Sequence, residues 1–123
     1  MSRSVFQYVL LRAVPRIDRG ECVNIGVVLY SQQRDFLDCV VEVDAGRLAA
    51  LDASVDPDAV RRAAGAFQAC CRGEGPSSEL SLGQRFGWLT APRSTVVQAG
   101  PVHPGLTDDP GAELARLVDR LVR

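Results

Sequence analysis

Four charges fall within six residues of this chain, at Arg16, Asp18, Arg19 and Glu21, beside the end of a predicted strand. Such a cluster can hold an acid–base pair or clamp an anion. It can equally be a solvated hairpin tip whose ion pairs are individually weak. Asn24 and Gly26 follow at alternate positions of the next strand. Asparagine is disfavoured inside strands, and a strand glycine marks a bulge or the close approach of another backbone, so this face serves either packing or a ligand. Further on, Pro92, Arg93, Ser94 and Thr95 set a guanidinium beside two hydroxyls. A planar fork plus short donors suits a phosphate or carboxylate, and the same run is ordinary strand-entry chemistry. His103 is the single histidine, held between Val102 and Pro104. Arg16, Glu21, Asn24, Arg93 and His103 are therefore the candidate binding residues. No nucleophile elbow, phosphate-cradling glycine loop, dinucleotide fingerprint or metal-spaced His–carboxylate set is present. No catalytic residue is assigned, and no cofactor or metal is expected.

Composition narrows the classes. The net charge of −1 gives no global pull towards nucleic acid or anionic membranes. With one Trp and no aromatic ladder, a nucleic-acid module is disfavoured. All 14 basic residues are arginine, in a chain rich in Ala, Gly, Val and Asp. That is the bias of GC-rich coding, so no single arginine is informative by its type alone. Cys22, Cys39, Cys70 and Cys71 have no CxxC spacing and read as reduced thiols packed as small apolar residues. No apolar run reaches the roughly 18 residues of a membrane span, and no signal peptide is evident. The expected location is the cytoplasm, and the expected organisation one domain over residues 1–123.

The elements that must position these residues run strands first, then helices. Residues 6–14 are apolar on both faces and predict a central strand covered on both sides. A break at residues 15–20 ends on Gly20, which is free to take a positive φ. Residues 23–30 form the second strand, with Val23, Ile25, Val27 and Leu29 expected on one face. Residues 36–43 read as an edge strand, Asp38 and Glu42 marking a wet face. Asp44 caps a short helix holding Leu48 and Leu51. Asp56 followed by Pro57 starts a longer one, with Val60, Ala63, Ala64, Phe67 and Cys71 on one stripe and Gly73 as its stop. Residues 73–78 are a loop, and residues 82–89 a short helix carrying Phe86 and Trp88. Residues 95–102 read as a fourth strand, ended by Pro104 and Gly105. Asp109 and Pro110 start a final helix with the stripe Leu114, Leu117, Val118, Leu121 and Val122. The fold class is α+β: a small, mostly antiparallel sheet of about four strands, with helices chiefly on one face.

Three separated blocks in this order carry a resemblance: YVLLRAVPRIDRGECVNIGVVLY (residues 8–30), AGRLAALD (residues 45–52) and RFGWLTAPRSTVVQAGPVHPGL (residues 85–106). The chain resembles the bacterial proteins grouped as domain-of-unknown-function family 3037. The best-matching positions are Arg12, Pro15, Arg16, Gly20, Glu21, Asn24, Gly26, Arg85, Trp88, Pro92, Arg93 and His103. The resemblance implies a small cytoplasmic protein, often encoded beside a HipA-like Ser/Thr kinase, and hence an accessory or partner role. It brings no catalytic residues with it. Two functions follow from different classes. One is a non-catalytic interaction partner of such a kinase, with an edge strand open to augmentation. The other is a small enzyme or ligand-binding protein acting on a phosphorylated or anionic substrate. Convergence of the five candidate residues in one concavity favours the second, and scatter favours the first.

Overall fold

A computed structural model describes residues 2–123. The first strand, β1 (Ser4–Ala13), carries two apolar sets in alternation. Val9, Leu11 and Ala13 enter one core, and Phe6, Tyr8 and Leu10 face another. A strand apolar on both sides is excluded from the sheet's margin, and β1 is interior. On one side it pairs antiparallel with β2 (Val23–Ser31), which pairs in turn with β3 (Phe36–Val41) at the edge. On the other side it pairs with both β4 (Val97–Ala99) and β5 (His103–Thr107). The fold is α+β, built on a five-stranded antiparallel sheet.

Two strand expectations are corrected. The single strand over residues 95–102 is a broken edge: β4 lies along residues 11–13 of β1 and β5 along residues 4–8. Pro104 and Gly105 do not end a strand but lie within β5. Proline lacks only an N–H that an edge strand can spare. Gly105 is needed where it stands, because a Cβ there would lie 2.5 Å from Phe6 Cζ. In β2, Leu11 pairs with Gly26 but Arg12 pairs with Asn24, so Ile25 is an extra residue. This β-bulge breaks the alternation. Val23 and Ile25 pack with the first core, whereas Val27 and Leu29 pack with the second.

The helices begin and end where local chemistry demands. Asp44 accepts from the Gly46 and Arg47 amides to start α1 (Ala45–Leu51). Asp56 and Pro57 open α2 (Pro57–Arg72), which closes on Gly73 at φ 69°. A short 3-10 turn, Gly75–Ser77, follows. Ser81 and Gln84 form a reciprocal capping box for α3 (Leu82–Thr90). Asp109 caps α4 (Pro110–Leu121).

The two faces of the sheet are covered unequally. Helices α1, α2 and α3 bury Leu48, Val60, Phe67 and Leu89 against Val9, Leu11 and Ile25. Helix α4 alone covers the other face, setting Leu114, Leu117 and Val118 on Phe6, Val27 and Leu29. Its last turn is tied down by side chains from elsewhere. Asn24 Nδ2 donates to the Leu121 carbonyl at 3.0 Å, Arg47 donates to the Val122 carbonyl, and Arg123 pairs with Glu42 at 2.9 Å. Among the described residues, no helix is long and apolar enough to cross a membrane.

Cys39, Cys70 and Cys71 are buried, Cys22 is exposed, and all four are free thiols. A hydrogen bond with Cys39, and burial, push the Cys71 thiol up, so it stays protonated at neutral pH. Thiol titration in denaturant without reductant is expected to return all four. A result of two would show a disulfide and refute the packing of these residues as inert core.

Candidate functional site

Helix α3 buries Phe86 and Leu89, three residues apart on one face. Trp88 lies off that stripe and is 44% exposed. The chain leaves α3 through Ala91 and Pro92, and Arg93 turns back over the helix it has just left. Its guanidinium sits 4.4 Å from the Trp88 ring centre and 4.8 Å from that of Phe67 in α2, and donates to the Trp88 carbonyl. The two rings are themselves 5.7 Å apart. One cation therefore fixes a buried aromatic and an exposed one together. Such contacts stabilise by about 0.5–1 kcal/mol at exposed sites and by more when desolvated. The result is a Trp side chain held rigid on one side and open to solvent on the other.

Concave surface flanks this ring on both sides. One groove of about 440 Å³ runs between α2, the 3-10 turn and α3, walled by Ala66, Ala69, Pro76 and Leu80. A shallower hollow of about 450 Å³ lies on the other side, lined by Ala63, Ala66, Phe67, Arg93 and Val97. Small alanines on α2 line both. Glu74 borders the first groove and Arg93 the second, so the two ends carry opposite charge. Cys70 also lines the first groove. Burial pushes its thiol up, which disfavours the reactive thiolate form.

The five candidate residues occupy three surfaces. Arg16 and Glu21 lie at the exposed β1–β2 hairpin tip, where Arg16 pairs with Asp18 at 3.3 Å and Arg19 with Glu21 at 2.6 Å. The Arg19 hydrogen bond holds the Glu21 carboxyl below its ordinary range, which weakens it as a base. Asn24 is spent on the end of α4. His103, in β5, sets its ring tilted against that of Tyr8, with centres 5.2 Å apart, on the α4 face of the sheet. Arg93 lies on the opposite, helical side. The hydroxyl expected to support it is turned away, since Thr95 Oγ1 donates to the Val97 carbonyl at 2.7 Å. Asn24 and His103 thus share a sheet face, and no single concavity gathers all five.

Trp88 is the residue the candidate set omits. Its signal was its spacing: it falls between the two inward positions of α3, so an amphipathic helix must turn it outward. Among the described residues, no three of His, Cys, Asp and Glu come together in a way that could hold a metal.

No curated protein and no solved structure matches the chain. The family described as protein of unknown function, DUF3037, matches residues 8–122. That span takes in the Trp88 groove and the whole of α4. The chain belongs to the DUF3037 family.

Proposed function

We propose that this chain is a non-catalytic interaction protein and that the Trp88 groove seats a segment of its partner. The observation that carries this is the exposed Trp88 ring locked by Arg93 over Phe67. Tryptophan and arginine dominate the energetics of protein–protein interfaces, and they do so beside pockets that exclude water. A ring fixed before binding loses little further freedom on association. The occupant that fits is a partner segment with an apolar side chain for the alanine-lined groove and an acidic group for Arg93. The scatter of polar candidate residues over three surfaces also supports a binding role over substrate chemistry. The partner to test first is the co-encoded HipA-like kinase that the family resemblance implies, in the cytoplasm.

The test is calorimetric titration of the purified kinase with wild-type chain and variants. Trp88→Ala and Arg93→Ala are each expected to weaken binding by on the order of 2 kcal/mol. Arg120→Ala, exposed on the outer side of α4, is expected to leave it unchanged. Loss of the complex with Arg120→Ala and full affinity with Trp88→Ala would put the interface elsewhere.

A further inference from the structure

The α4 face of the sheet is only half covered. Helix α4 lies over β2 and β3, and the β1 side chains beyond it form a strip. Tyr8, Leu10 and Arg12 are each partly exposed, whereas Val9, Leu11 and Ala13 on the opposite face are 0% exposed. The broken edge continues the strip, since His103 pairs with Tyr8 and Gln98 with Arg12.

Arg12 is the anomaly on this strip. Its Nε is shielded from solvent and has no hydrogen-bond partner. Among the described residues, none of the ion pairs includes it. A partly buried charge normally has a counter-charge, and an unsatisfied buried donor calls for a specific cause. Arg85 has the same orphaned Nε, but its guanidinium lies against Gly73, at the C-terminal end of α2, where a cation meets the helix dipole. Arg12 has no ion-pair partner, and the bonds to the Leu121 and Val122 carbonyls at the end of α4 come from Asn24 and Arg47 instead.

The position of the Arg12 head is also constrained. The guanidinium lies against Gly100, where a Cβ would be 2.8 Å from Cζ and 3.0 Å from Nη2. The Gly100 amide bonds to the Leu10 carbonyl at 2.8 Å, so the head has folded back from its own row to the level of Leu10. The next row of this face holds Tyr8 and His103, at a spacing of about 7 Å for two strand residues. The absence of a side chain at position 100 is what leaves room for the cation there, one row from the tilted Tyr8–His103 ring pair. A guanidinium fork, an imidazole and a phenol thus share the partly exposed strip of one sheet face.

We propose that Arg12, His103 and Tyr8 form a binding site for an oxyanion, a phosphate or carboxylate group, on the open half of this sheet face. Arg12 supplies the planar fork, His103 and Tyr8 supply donors, and Gly100 makes room for the head. The site lies on the other side of the sheet from the Trp88 groove and does not depend on it.

The experiment is a titration of the full chain with inorganic phosphate and, separately, acetate. It is followed by nitrogen-15 NMR of the arginine Nε–H groups and the His103 ring. Saturable shifts are expected at Arg12 and His103, with Arg120 unmoved. Arg12→Gln is expected to weaken binding by about tenfold or more, through loss of a charge-assisted bond. Arg12→Lys keeps the charge but not the fork, and is expected to weaken binding while leaving the melting temperature near wild type. His103→Ala, on an exposed edge residue, tests the site without touching the core. Binding of either anion supports the site and tells which class it takes. Absence of saturable shifts, equal affinity in Arg12→Gln, or shifts confined to Arg16 and Arg19 would overturn it.

Discussion

Leu117→Ala is expected to lower the unfolding free energy by about 2–5 kcal/mol, among the largest losses available to one substitution here. Leu117 is 5% exposed and sits in the core that α4 forms with Phe6, Val27 and Leu29. That core has only one helix as its lid. The truncation therefore both removes buried methyl groups and opens a cavity that no second helix can collapse to fill. The last turn of α4 is pinned by Asn24 and Arg47, which further restricts relaxation. Chemical denaturation of Leu117→Ala beside Arg120→Ala checks this. Equal midpoints for the two would show that α4 is not docked as described.

Gly26→Ala is expected to destabilise by roughly 1–3 kcal/mol, the usual penalty for overpacking. A Cβ at this position would lie 2.6 Å from the Val40 carbonyl oxygen and 3.3 Å from Val41 Cα. Those are backbone atoms of the paired strand, so they cannot swing aside as a side chain would. Gly65 is the internal contrast. It stands inside α2 with nothing within 4 Å of an added Cβ, so Gly65→Ala is expected to stabilise by about 0.5–1 kcal/mol. The two glycine substitutions should thus shift the melting temperature in opposite directions. A gain from both would mean that β2 and β3 do not approach as closely as they do here.

Much of this architecture was legible in the residues. The double apolar face of residues 6–14 required a covered central strand, and the Asp-Pro starts at Asp56 and Asp109 placed two helix N-termini. What was not legible depended on atoms far apart in sequence. Pro104 and Gly105 look like a strand end. Only the bare edge beside β1 and the Phe6 ring over Gly105 make them part of β5. The bulge at Ile25 moved half of β2 to the other face, because alternation is local and the extra residue is defined by its partner strand. The polar candidates fared likewise. Arg93 was conspicuous by its neighbours and Asn24 by its place in a strand, but the partners that give them meaning, Trp88 with Phe67 and the end of α4, are set by packing alone.

The order of synthesis meets an awkward geometry in β1. This strand leaves the ribosome well before its outer partner, since Ser4 pairs with Thr107. At about 5–20 residues per second, a nascent chain waits roughly 5–20 s between the two. Through that interval the β1–β2 hairpin has a row of unpaired amides and carbonyls along one side and the apolar set Phe6, Val27 and Leu29 without its lid. Exposed edges and bare apolar faces are what aggregation and holding chaperones both recognise. Closure of the sheet by β5 and α4 therefore makes the synthesis of residues 103–121 the step that removes both hazards from the β1–β2 hairpin.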